Sequence, residues 1–169
     1  MRTVPYSIDT SAFLDAWVRN YPQDVFPGLW ARMHEAAEAG VLLVSDEVVN
    51  ELSKKDDGAH KWVKAHAGMI VPFDSELEPH VQHIMTTYPR LVDTKKGRSI
   101  GDPFVIAVAR ARKLTVITGE IPSRKPGVPK IPDVCDGLKI RWLRILDFFR
   151  EQKWIVGSGQ TNAKITHDE

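Results

Sequence analysis

Short, β-branched apolar runs alternating with amphipathic segments predict an α/β fold with a central, mostly parallel sheet covered by helices on both faces. Two further observations support it. Carboxylates stand where the apolar runs end, as expected of loops at the carboxyl end of a parallel sheet, and no linker or internal repeat divides the chain. At 169 residues there is room for one compact domain with a real core and not for two. The expected division is a domain over 1–153 followed by a polar, disordered tail over 154–169.

The elements follow in order. Val4, Tyr6 and Ile8 alternate with Pro5 and Ser7 and stop at the polar run Asp9-Thr10-Ser11, which reads as a first strand. Pro27 can open a helix on which Phe26, Leu29, Trp30, Met33 and Ala37 recur at helical spacing until Gly40. Val41 to Val44 is a second, buried strand, and Ser45 is an N-cap for a helix with Val48, Val49 and Leu52 on one face. Two weaker helical patterns follow, around Trp62-Val63-His66 and around Leu77-Val81-Ile84-Met85. Gly101-Asp102-Pro103 starts the apolar helix Phe104 to Arg112, with Asp102 read as its cap. Leu114 to Thr118 is a β-branched strand. Gly119 to Asp136 reads as a Pro- and Lys-rich loop, Lys139 to Leu143 as a last strand, and Ile145 to Lys153 as a closing helix.

Composition narrows the function classes. An apolar fraction of 43% and a charged fraction of 27% are ordinary for a globular domain, and no apolar run is long enough to span a bilayer. Met1 to Tyr6 lacks the apolar core and cleavage site of a secretory signal, so the expected address is the cytoplasm, with no membrane partner. A net charge of +1 leaves any attraction to nucleic acid to local clusters. Cys135 is the one cysteine and cannot form an internal disulfide; it reads as structural. The six histidines show no metal-binding spacing and read as surface residues. No Gly-rich phosphate loop, dinucleotide fingerprint or Ser-His nucleophile pattern is present.

Four acids are brought toward one end of the sheet by this order of elements. Asp9 ends the first strand, Glu51 borders the apolar face of the helix after the second, Asp102 starts a helix, and Glu120 follows the Thr118 strand. Clustered hard oxygen ligands suit Mg²⁺ or Mn²⁺ rather than zinc. Each has a plainer reading: Glu51 as a solvated helix glutamate, Asp102 as an N-cap, Asp9 as a turn residue and Glu120 as an exposed loop acid.

The stretches Tyr6 to Ser11, Ser45 to Leu52, Gly101 to Ala109 and Val116 to Glu120 together resemble the PIN nuclease superfamily, over about Tyr6 to Phe149. The resemblance implies a three-layer α/β/α PIN-like fold with Asp9, Glu51 and Asp102 holding the metal. Glu120 stands where the family usually has an aspartate and is implied as the fourth catalytic, metal-holding acid. The tract Tyr21 to Trp30 and the segment Lys130 to Cys135 resemble a PIN-like prokaryotic toxin-type subfamily. The resemblance therefore implies a cytoplasmic Mg²⁺/Mn²⁺-dependent endoribonuclease, with RNA as substrate and an antitoxin protein as partner, and a homodimer through the Trp17, Phe26 and Trp30 region as an alternative to a core role. Thr10, Ser11, Thr118, Lys96 and Arg98 would bind substrate, with Lys95, Arg110, Arg112 and Lys113 as further cations and Trp142 between Arg141 and Arg144 as either a base-stacking or a core residue. Two competing classes are a PIN-like binding module with an inactive metal site, and a phosphotransfer fold with Asp9 as nucleophile. The second is disfavoured because Ser11, not an acid, stands two residues beyond Asp9.

Overall fold

The computed structural model describes residues 4–92 and 100–156. Five strands form one sheet of order β3-β2-β1-β4-β5, each pair parallel: β1 (Tyr6–Ile8), β2 (Leu42–Ser45), β3 (Ile70–Val71), β4 (Thr115–Ile117) and β5 (Trp142–Leu143). Helices cover both faces, giving the three-layer α/β/α arrangement expected from the alternation of elements. The three inner strands are buried along their whole lengths, as continuous apolar runs in parallel sheets are. Tyr6 lies opposite Leu42 on one side and Thr115 on the other, so β1 is central.

From β1 the chain proceeds outward through β2 and β3, then returns to the other side for β4 and β5. The strand order therefore reverses between β1 and β4. Connections leaving the carboxyl ends of two such strands diverge to opposite sides and open a crevice there. Asp9 and Thr118 follow immediately after those two strands.

The helices are α1 (Thr10–Leu14), α2 (Pro27–Glu38), α3 (Asp46–Lys55), α4 (Asp57–Ala65), α5 (Glu78–Thr87), α6 (Asp102–Arg112), α7 (Ile131–Gly137) and α8 (Ile145–Glu151). Ser45 caps α3 by accepting from the Val48 N–H, and Asp46 and Glu47 occupy its first turn against the helix dipole. Helix α6 buries Val105 through Ala109 almost all the way round, because it packs against the sheet on one side and α5 and α7 on others. Ile8, Phe13, Leu42, Ile106, Val116 and Phe148 are among the fully buried side chains, each contributing about 1.5–3 kcal/mol of burial.

Several expectations need correction. A helix that the sequence reading did not include follows β1: Asp9 accepts from the Ala12 N–H and so caps α1, which continues into a π-helical stretch over Asp15–Asn20. The loop read over 119–136 contains α7, whose first turn is built by Asp133 accepting from the Lys130, Ser123 and Arg124 N–H groups. Strand β3 has two residues, too few for a periodic signal, and β5 is likewise shorter than expected. Asp102 is not the cap of α6; Gly101 is, and Asp102 is the first helical residue. Trp30 is buried and Trp17 and Phe26 pack on the core with it, which explains that aromatic group. Trp154, the first residue of the expected tail, stacks on Phe149. The rest of that tail from 157 onward, with Lys95, Lys96 and Arg98, lies outside the described residues. Among the described residues no helix is long and apolar enough to cross a membrane.

Candidate active site at the end of the central strand

Asp9 is buried at the carboxyl end of β1. Its Oδ1 accepts from the Ala12 N–H at 2.7 Å, its Oδ2 from the Thr118 hydroxyl at 2.7 Å, and the Ser11 hydroxyl lies 2.9 and 2.8 Å from the two oxygens. Burial pushes its carboxyl up to about 6, against the opposing pull of the bonds from Ala12, Thr118 and Ser11 and with a further push from the charge of Glu120. The Thr118 bond spans the two strands at which the sheet order reverses, so it fixes Asp9 at the mouth of the crevice.

Glu51 is brought to Asp9 from α3. Its Oε2 accepts from the hydroxyl of Thr10, the residue after Asp9, at 2.5 Å. Its Oε1 accepts from the N–H of Gly101, the residue before Asp102, at 3.0 Å. One side chain thus links the start of α1 to the start of α6, and places the Asp9, Glu51 and Asp102 positions on one edge of the sheet. Asp102 itself is buried at the first position of α6. Its charge there is favoured by the helix dipole.

Two glycines permit this closeness. A Cβ at Gly101 would stand 2.8 Å from Glu51 Oε1, and one at Gly119 would stand 2.3 Å from Asp15 Oδ2 and 3.0 Å from Ser11 Oγ. The Gly119 N–H also donates to Ser11 Oγ at 3.0 Å. Asp15 was not singled out by the sequence, because no strand end or helix start marks it there. The π-helical turn that begins at Asp15 carries it to Gly119, and such turns recur at functional sites. Arg19 pairs with Asp15 at 2.5 Å on the outer side.

Glu120 is near enough to act on the charge of Asp9, but its Oε2 accepts from the Ile131 N–H at 2.9 Å at the start of α7. It is therefore engaged in holding the 119–131 connection. Beside Gly119 and Asp15 a cavity of about 350 Å³ is lined by Arg144 and Arg150 from the β5–α8 edge. Trp142 is half-buried and donates its indole N–H to Asp136 at 2.8 Å, so it is anchored rather than presented flat to solvent. Arg110 lies 3.2 Å from His80 Nδ1 on the α5–α6 contact. Cys135 is fully buried with its thiol pushed far up by burial, in keeping with a structural role.

Carboxylate oxygens are the donors Mg²⁺ and Mn²⁺ take, and a buried carboxyl whose ionisation burial opposes is one that a cation would help to ionise. By donor chemistry the acidic residues fit such an ion. Among the described residues, however, the three-ligand group gathered within 4.8 Å is not the acidic one but His34, Glu38 and His66. Treating all six histidines as surface residues was incorrect, since His66 is buried against His34. His34 is on α2 and His66 follows α4, so no spacing within one helix could reveal them.

The sequence profile of a family described as a domain of unknown function (DUF4411) matches residues 6–156. The chain belongs to that family. The matched span of this DUF4411 domain begins at β1 and ends just after the aromatic packing of Trp154. None of the curated proteins matches it. Among solved structures, the DUF4411 chain is similar to FitAcB from Neisseria gonorrhoeae, at 17% identity over 82% of this chain and 96% of that one, with a TM-score of 0.46. It is also similar to VapBC2 from Rickettsia felis, whose structure is bound to a DNA fragment from its promoter, at 18% identity over 74% and 96% with a TM-score of 0.44.

Proposed function

We propose that this protein is a metal-dependent ribonuclease that hydrolyses RNA phosphodiester bonds at the Asp9–Glu51–Asp102 edge, and that it serves as the toxin of a type II toxin–antitoxin pair. The observation that carries the nuclease reading is the bridge made by Glu51, which accepts from Thr10 on one side and Gly101 on the other. The four acidic motifs that resemble PIN nucleases support it independently, and the toxin assignment rests on the resemblance of the Tyr21 to Trp30 and Lys130 to Cys135 tracts. Asp9, Glu51 and Asp102 would hold Mg²⁺ or Mn²⁺, which when bound supplies activation of water and neutralises charge developing on the scissile phosphate.

The chain's own groups have separable tasks. Thr10, Ser11 and Thr118 aim the carboxylates with hydroxyl donors. Gly101 and Gly119, lacking side chains, let the backbone come close to Glu51 and to Asp15 and Ser11. Glu120 secures the connection to α7 and contributes negative charge near Asp9. Arg144 and Arg150, lining the adjoining cavity, supply positive charge for the phosphates of a strand entering beside Gly119. Lys96 and Arg98 are proposed as further phosphate contacts on the sequence alone.

A second reading is favoured by one observation: both Asp9 oxygens already accept donors from the chain itself. This would suit a domain whose acidic edge is structural and which acts through a protein or RNA partner. Incubating the purified protein with mixed cellular RNA, in Mn²⁺ or in chelator, beside Asp9→Asn separates the two. Cleavage that needs both the metal and Asp9 supports the nuclease; cleavage indifferent to either is a contaminant's.

A further inference from the structure

At the opposite end of the sheet from Asp9, helix α2 and the residue that ends α4 bring imidazoles and a carboxylate together. His34 and Glu38 stand four residues apart on one face of α2, near the start of β2. His66 follows α4 and precedes β3. Because all five strands are parallel, the segments entering β2 and β3 lie at the amino edge, away from the acidic crevice. One nitrogen of each histidine and one oxygen of Glu38 all lie within 4.8 Å of one another.

The hydrogen bonding of His66 fixes which nitrogen it offers. Its Nδ1 lies 2.7 Å from the Trp62 carbonyl oxygen. A carbonyl only accepts, so Nδ1 carries the proton and Nε2 keeps its lone pair. This is the arrangement by which metal-ligating histidines are oriented: one ring nitrogen donates to a backbone carbonyl and the other faces the ion. The Trp62 ring, 4.0 Å from the His66 ring, holds the imidazole plane from one side. Nε2 of His66 in turn faces Nδ1 of His34 at 2.6 Å. Two nitrogen lone pairs cannot face each other at that distance, so without an ion His34 Nδ1–H donates to His66 Nε2, and a metal would take that proton's place. Nitrogens sharing one tetrahedral ion at about 2.0–2.1 Å stand about 3.3 Å apart. Widening the pair to that separation requires movement of His34 alone, and His34 is exposed while His66 is buried.

We propose that His34 Nδ1, His66 Nε2 and the Glu38 carboxylate form a binding site for a divalent transition-metal ion such as Zn²⁺, with a fourth position open to water. Two imidazoles and one carboxylate select Zn²⁺ and its neighbours over Mg²⁺, which prefers oxygen alone. The ion would pin α2 to the α4–β3 connection, and the site is independent of the acidic residues of the crevice.

The test is titration of the full-length, tag-free, chelator-treated protein with Zn²⁺ by calorimetry, and with Co²⁺ by visible absorption, which reports a low-coordinate nitrogen-and-oxygen environment. With the carboxylate crevice kept occupied by excess Mg²⁺, the expected result is one further Zn²⁺ bound per chain and a higher melting temperature with Zn²⁺. His34→Ala should weaken binding by about 100-fold, and Glu38→Gln by about tenfold, whereas Asp9→Asn should leave it unchanged. His34 and Glu38 are exposed, so these variants should keep the wild-type circular dichroism spectrum; His66→Ala, which opens a buried position, is not needed. Absence of saturable Zn²⁺ binding would overturn the proposal in favour of a hydrogen-bonded imidazole pair. Unchanged affinity in His34→Ala would overturn it equally, by locating the ion elsewhere.

Discussion

At Asp9 burial opposes charge, and its behaviour is measurable. Burial raises its carboxyl from 3.8 to about 6. The folded, metal-free chain therefore retains a proton that the unfolded chain releases between those values. This contribution to stability is fully present below about pH 4 and is lost as pH rises through about 6, and it amounts to at most about 3 kcal/mol. Denaturant unfolding in chelator should show the stability difference between wild type and Asp9→Asn shifting toward the variant across that window; a pH-independent difference would contradict it. Glu120 is engaged at the start of α7, so Glu120→Gln should reduce RNA cleavage by about tenfold or less, against about 100-fold or more for Asp9→Asn. Equal losses in initial-rate assays would make Glu120 a ligand rather than a support. At this scale the sequence was informative about Asp9, because a carboxylate directly after an apolar strand in a parallel sheet has few places to go. It was silent about Asp15 and about the His34–His66 contact, since both depend on where separate segments meet.

Between elements, the close approaches at the crevice depend on missing side chains. Adding a methyl group at Gly119 forces it into the Asp15 carboxylate and the Ser11 hydroxyl. Gly119→Ala should therefore displace the Asp15 carboxylate and the Ser11 hydroxyl, costing about 1 kcal/mol in stability while reducing cleavage, read by thermal unfolding and initial rates. Ser45→Ala, which removes the cap of α3, should cost about 1 kcal/mol through helix fraying at the end away from Glu51, and should lower activity less than Gly119→Ala does. Long, periodic elements such as α2, α3 and α6 were legible from their apolar stripes and Pro, Ser or Gly punctuation. Helix α1 was not, because Asp9-Thr10-Ser11 has turn composition and becomes helical through one side-chain cap. Helix α7 was hidden for a related reason: its Pro-rich approach looks like loop, and three N–H groups converge on Asp133 only in the folded chain. The two-residue strands β3 and β5 owe their existence to their neighbours in the sheet.

For the molecule as a whole, the strand order does the organising. Reversal between β1 and β4 opens the crevice at their carboxyl ends, and Glu51 then couples α1 and α6 across it. The alternation of elements in the sequence was sufficient to place the acids at one end of the sheet. It could not reveal that hydroxyl and amide donors of the chain already occupy Asp9, nor that a second cluster stands at the other edge. The most direct measurement is cleavage of mixed cellular RNA by purified wild type, Asp9→Asn and Asp102→Asn, each in Mn²⁺ and in chelator. The account predicts cleavage by wild type in Mn²⁺ alone, with both variants reduced by about 100-fold or more while retaining the wild-type fold by circular dichroism. Intact RNA in every lane, or cleavage that persists unchanged in the variants, would contradict it.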